Sequence, residues 1–143
     1  MSGKASSCFL FALIVASWHL NAWAYDAQKV GFAAAEYIGS VYGMDALAGT
    51  DCGYLFKSRV DPSWAFSEVK RSLTPSDQLE IDKMAKGPQF KKVAEDATRT
   101  ILETRAVHTR QGLDLRSSCG MIYGGLFKFY SDKKAAWQAA TRK

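Results

Sequence analysis

Once residues 1–24 are set aside as a leader, His108, Cys52, Cys119 and a scatter of carboxylates are the groups that could do chemistry. His108 is then the only histidine and the first choice for a general base. Ser117, Ser118 and Asp114 follow it closely, so a Ser–His–Asp set can be drawn on paper. The surrounding Arg116-Ser117-Ser118-Cys119 has nothing of the Gly-x-Ser-x-Gly turn that presents a nucleophile on a sharp elbow. Extending the apolar register Phe90, Ala94, Ala97, Ile101 brings His108 onto the same helix face, near the end where a cation is favoured. A structural, helix-end role is expected.

The carboxylates select no reaction either. Glycosidases hold two carboxyl groups roughly 5–10 Å apart across a cleft. Asp45 with Asp51, Glu80 with Asp82 and Glu95 with Asp96 are the neighbouring pairs, and no spacing motif sets any of them across a cleft. Lys92–Asp96, Glu95–Arg99 and Arg99–Glu103 are opposite charges at i, i+4, the pattern of a solvated helix face. One histidine cannot build an ordinary zinc site, and there is no calcium loop, phosphate-binding glycine loop or haem-attachment motif. No catalytic residue, metal or cofactor is expected. A small hydrolase using Glu36, Asp45, Asp51 or His108 is the least favoured reading.

The leader argument rests on residues 1–24. Lys4 gives a short positive start, Cys8–Ala16 is apolar, and Ala22-Trp23-Ala24 is a small-x-small cleavage site. The apolar run is shorter than the ~20 residues a membrane span needs. A cleaved signal peptide is expected, with Tyr25 starting one domain over residues 25–143. Cleavage removes Lys4, leaving one positive charge fewer than the +5 of the whole chain. It also removes Cys8, so Cys52 and Cys119 are left to pair, as two cysteines in an exported protein do. The bond would close a loop of roughly 68 residues, for which the chain-entropy model gives up to about 4 kcal/mol.

These groups must be positioned by helices. Pro62, Pro75 and Pro88 are the only prolines, and each sits where a helix can begin. Val30, Ala34, Tyr37, Ile38 and Val41 make one apolar stripe over about 27–44. Residues 46–60 read as a loop with a short helical turn near Tyr54. Asp61-Pro62 and Thr74-Pro75 start the next two helices. The first of these runs to about Leu73, and Gly87 closes the second as a C′ residue. A long helix runs from Pro88 to about Gln111, stopped by Gly112. Another follows from Leu113 to Tyr130, and Ser131-Asp132 caps a last one to about Thr141. The expected fold is all-α, a compact bundle of about five or six helices with one disulfide.

Small residues recur every fourth position at Gly31, Ala35, Gly39 and Gly43, and Gly120 and Gly124 again sit four apart. Each glycine costs a helix about 1 kcal/mol relative to alanine, which a close backbone approach can offset. The two segments are therefore expected to pack together along these rows, or to present them across a homodimer. Lys57, Arg59 and Trp64 are the expected partner-binding residues, because Trp and Arg are enriched at interface hot spots. The competing reading buries Trp64 in the core.

Basic and acidic residues are interleaved, which argues against nucleic acid and for either a solvated surface or a preference for acidic partners. The function that fits is an exported, periplasmic protein-binding module: an inhibitor or immunity protein that neutralises a secreted enzyme such as a cell-wall hydrolase. In general form the chain is similar to helical periplasmic immunity proteins that protect bacteria against wall-degrading toxins. The alternative is a periplasmic small-ligand or lipid carrier, or a stress chaperone, with a pocket between helices.

Overall fold

The computed structural model describes residues 25–142 except Arg59, so the leader lies outside the described residues. Five α-helices and one 3-10 turn follow in order: α1 (Tyr25–Ala48), the turn (Asp51–Leu55), α2 (Pro62–Lys70), α3 (Pro75–Ala85), α4 (Pro88–Arg110) and α5 (Leu115–Thr141). The fold is all-α.

α1 is the centre of the bundle. It packs on α5, α4, α2 and the 3-10 turn. Tyr37, Ile38, Val41 and Leu47 are wholly buried, and Ala33, Ala34, Ala35 and Ser40 are buried as well, so the helix is covered nearly all round. Small side chains permit this, because neighbours can approach on several faces. Ser40 donates to the carbonyl of Tyr37 at 2.6 Å and brings no unsatisfied hydroxyl into the core.

Two apolar clusters flank α1. In one, Tyr37, Ile38 and Val41 meet Ala65, Phe66 and Val69 of α2, Ile81 of α3, Phe90 and Val93 of α4, and Trp137 of α5. In the other, Leu47, Cys52, Ile101 and Cys119 are surrounded by Leu55, Phe56, Ile122 and Leu126. Cys52 and Cys119 are disulfide-bonded there, with Cα atoms 5.3 Å apart.

The caps explain the helix starts. Asp61 accepts from the Ser63 N–H at 2.9 Å with Pro62 in the first turn. Thr74 accepts from the Asp77 N–H at 3.3 Å. Asp114 accepts from the Ser117 N–H at 2.7 Å, and this bond holds its carboxyl below the usual carboxylate range. Gly112, with φ of 81°, ends α4 in the left-handed region.

Three expectations are corrected. α2 stops at Lys70, short of Leu73. Gly87 is no left-handed C′ residue; with φ −82° and ψ 165° it is the N-cap of α4. Ser131-Asp132 interrupts nothing, and α5 is one helix of 27 residues. Asp132 is paired with Lys128 one turn earlier at 2.7 Å and no proline intervenes, so the chain has no reason to stop there.

The glycine rows divide. Gly31, Gly39 and Gly43 are all buried on α1. A Cβ on Gly43 would stand 3.3 Å from Cδ2 of Leu126, which is the close α1–α5 approach expected. Gly120 and Gly124 do not share that seam. Both are exposed, and a Cβ on either would meet nothing within 4 Å. The buried side of α5 is set by Cys119, Ile122, Tyr123, Leu126, Tyr130 and Trp137, and helical geometry puts Gly120 and Gly124 opposite.

Candidate partner-binding surface

α5 is long and thinly covered. Of its 27 residues only Ser118, Cys119 and Trp137 are fully buried. Gly120, Met121, Gly124, Gly125 and Lys128 are exposed at three- and four-residue spacing, with Ala135 and Ala139 continuing the line. Met121 is 58% exposed, and Phe127, at the edge of this face, is 47% exposed. Apart from the adjacent residues and the helix's own nearby backbone, no described atom lies within 4 Å of the Cβ position of Gly120, Gly124 or Gly125. The helix is also cationic: Arg116, Lys128, Lys133 and Lys134 stand against Asp132 alone, and Arg142 and Lys143 follow.

Beside this face runs a row of rings. Phe56 meets Tyr123 at 5.4 Å between centroids, Tyr123 stacks on Phe127 at 5.8 Å, and Phe127 neighbours Tyr130 at 6.2 Å. Tyr130 lies 5.9 Å from Tyr37, which stacks on Trp137 at 5.1 Å and meets Trp64 edge-on at 6.3 Å. The Lys134 ammonium is shared by three of these rings, 5.5 Å from Trp64 and 5.8 Å from each of Tyr37 and Tyr130. Lys133 pairs with Glu36 at 2.7 Å. These contacts fix the inner side of α5 on α1 and α2 and leave its outer side uncovered by the described chain.

The expected partner-binding residues separate. Trp64 is 39% exposed and caps the ring row, so it is half core and half surface. Lys57 is exposed and lines a different feature, a cleft of about 670 Å³ between the end of α1, the segment after the 3-10 turn and α4. Arg59 lies outside the described residues. Sequence reasoning passed over Phe127, Met121 and Gly125. The signal was present, since helical spacing from Cys119 and Tyr130 already sets Gly120, Gly124 and Gly125 outward.

The cleft is held open by local chemistry. Thr50 accepts from the Cys52 N–H at 3.2 Å and donates to the Leu47 carbonyl at 2.7 Å, folding the chain back after α1. Gly53 is obligatory there, because a Cβ would lie 2.6 Å from the Ala48 carbonyl oxygen. Arg105 of α4 reaches Asp51 at 3.3 Å and ties the 3-10 turn to α4.

Of the Ser–His–Asp set drawn from the sequence, the structure brings His108 and Ser118 together. Nδ1 of His108 and Oγ of Ser118 are 2.9 Å apart, but Ser118 is only 3% exposed and faces inward beside Cys119. Asp114 spends its carboxylate on the α5 cap. The pair ties the end of α4 to the start of α5. Among the described residues no group of three His, Cys, Asp or Glu could hold a metal ion. None of the described helices is long and apolar enough to cross a membrane.

Neither a family model, a curated protein nor a solved structure matches the chain. The functional reading therefore rests on the geometry above.

Proposed function

We propose that the protein is an exported protein-binding module, an inhibitor or immunity protein that neutralises a secreted enzyme from the periplasm. The observation that carries this is the outer face of α5. Gly120, Gly124 and Gly125 each cost that helix about 1 kcal/mol relative to alanine. Gly43 offsets such a cost by admitting Leu126. The three on α5 admit nothing from their own chain. A glycine surface flanked by exposed Met121 and Phe127 suits a partner backbone that approaches closely. The disulfide suits an oxidising compartment.

The lipid-carrier alternative has weaker support, because the cleft sets the charged Asp45 and Lys57 beside its apolar lining. The test is capture from the native host with a C-terminal tag on the full-length protein, followed by titration of the captured enzyme's activity. The expected result is one stoichiometric secreted enzyme whose activity falls to zero at one equivalent. A pure homodimer, or a bound small molecule with no protein, would overturn the proposal.

A further inference from the structure

The outer face of α5 carries a pattern beyond its exposure. Met121, Gly125, Lys128, Asp132, Ala135 and Ala139 follow one another at steps of four, three, four, three and four residues, the spacing of a heptad seam. All six are exposed. The side of α5 that meets the bundle, through Cys119, Ile122, Leu126, Tyr130 and Trp137, lies opposite. The seam is its own complement when reversed. Its ends are a long and a short apolar residue, Met121 and Ala139. Inside them stand two small ones, Gly125 and Ala135, and the centre holds one cation and one anion, Lys128 and Asp132. Two such helices laid antiparallel about a two-fold axis level with Tyr130 put Met121 on the partner's Ala139, Gly125 on the partner's Ala135 and Lys128 on the partner's Asp132. Every contact then occurs twice, as a two-fold interface requires. Gly125 and Ala135 allow the helices to approach to the short end of the ~8–10 Å interaxial range. Lys128 and Asp132 are bonded to each other at 2.7 Å, with side chains 75% and 61% exposed. That bond uses one ammonium hydrogen and one carboxylate oxygen, so two such pairs can close into a ring of alternating charge without either breaking. A parallel pair would instead set Lys128 beside the partner's Lys128 and align the two helix dipoles.

We propose that in the free protein this face is covered by a second copy of the chain, α5 against α5, antiparallel and in that register. The occupant is a second copy because the seam complements itself in charge and in size. From Met121 to Ala139 the seam is about 27 Å long. One helix pair of that length lies at the small end of specific interfaces, so the dimer is a dissociating one. Such a dimer shields exposed Met121 from water and still yields the face to another protein. That the second copy and a secreted enzyme exchange on this face rests on the function proposed above; the dimer itself does not.

The experiment is analytical sedimentation of the protein produced from the full-length sequence, followed through a dilution series. A monomer–dimer equilibrium is expected. Lys128→Asp and Asp132→Lys change exposed positions, so each should melt within a few degrees of the parent. Each should weaken self-association by about tenfold or more, because like charges then meet twice across the two-fold axis. An equimolar mixture of the two variants should recover a dimer with one copy of each, since one seam is then acidic at its centre and the other basic. Cross-linking reads the orientation. A mixture of Gly125→Cys and Ala135→Cys should form an interchain disulfide on mild oxidation. Either variant alone should not, because its two cysteines would lie about 15 Å apart along the helices. A monomer at every concentration, an undiminished dimer in both charge-reversed variants, no pairing in their mixture, or a disulfide formed by Gly125→Cys with itself would overturn the proposal. The enzyme recovered by capture is expected to replace the dimer with a one-to-one complex, and enzyme bound to an intact dimer would overturn the exchange. A failed capture leaves the sedimentation result standing, and a monomeric protein leaves the capture result untouched.

Discussion

The hydroxyl of Tyr37, on a residue with no exposed surface, donates a 2.7 Å hydrogen bond to the carboxylate of Glu68. This bond joins the central helix to α2 beside the Lys134 ammonium, 3.9 Å from the same carboxyl group. Burial, and then the bond to Glu68, raise the ionisation of Tyr37 far above that of a free phenol. The sign follows. The neutral phenol is the form the fold prefers, so this contribution is fully present below pH ~10 and is lost as pH rises above it. Denaturant melts are expected to show no alkaline loss of stability up to about pH 10 and a fall beyond it. Tyr37→Phe should flatten the fall and cost about 1–2 kcal/mol at neutral pH, since Glu68 loses its donor.

The disulfide should be a major stabiliser. Cys52 and Cys119 are both wholly buried between Leu47 and Ile101. Reduction, or the double change Cys52→Ser and Cys119→Ser, is expected to remove up to about 4 kcal/mol and lower Tm markedly. Unchanged melting after verified reduction would contradict this account of the two sulfurs.

The glycines should respond in opposite directions. Gly53→Ala forces a Cβ to within 2.6 Å of the Ala48 carbonyl, so the backbone must move and stability must fall. Gly124→Ala meets open space in mid-helix and should gain about 1 kcal/mol. The same Gly124→Ala should weaken partner binding, because a methyl group would stand where the partner backbone approaches. A variant that is more stable and binds less well is the signature of a glycine kept for a partner.

Much of this was legible in the sequence. Helix starts at Pro62 and Pro75 follow from side-chain caps that need only local atoms, the start at Pro88 follows from proline in the first turn, and the Cys52–Cys119 pairing follows from parity once the leader is set aside. The stop at Gly112 follows from its conformation. The continuity of α5 through Ser131-Asp132 was not legible, because Asp132 can cap a helix or pair with Lys128 and local sequence does not choose. Glycine spacing alone could not tell the buried row of α1 from the open row of α5. That difference comes from which neighbours each helix meets, a tertiary fact. Trp64 is both packed and exposed because Lys134 and Tyr37 cover one part of its ring system and solvent the rest.

The exposed apolar side chains Met121 and Phe127 of α5 give the most direct route to the central claim. Phe127→Glu and Met121→Glu place charge on half-exposed positions outside both core clusters, so the fold should survive with Tm changed by only a few degrees. The decisive measurement is capture from the native host with the tagged full-length protein and with the Met121→Glu, Phe127→Glu double variant, side by side. The account predicts one stoichiometric secreted enzyme with the parent protein and its loss with the folded variant. The same enzyme recovered undiminished by the folded variant would contradict the assignment of α5 as the binding face. No protein recovered by the parent would contradict the function itself.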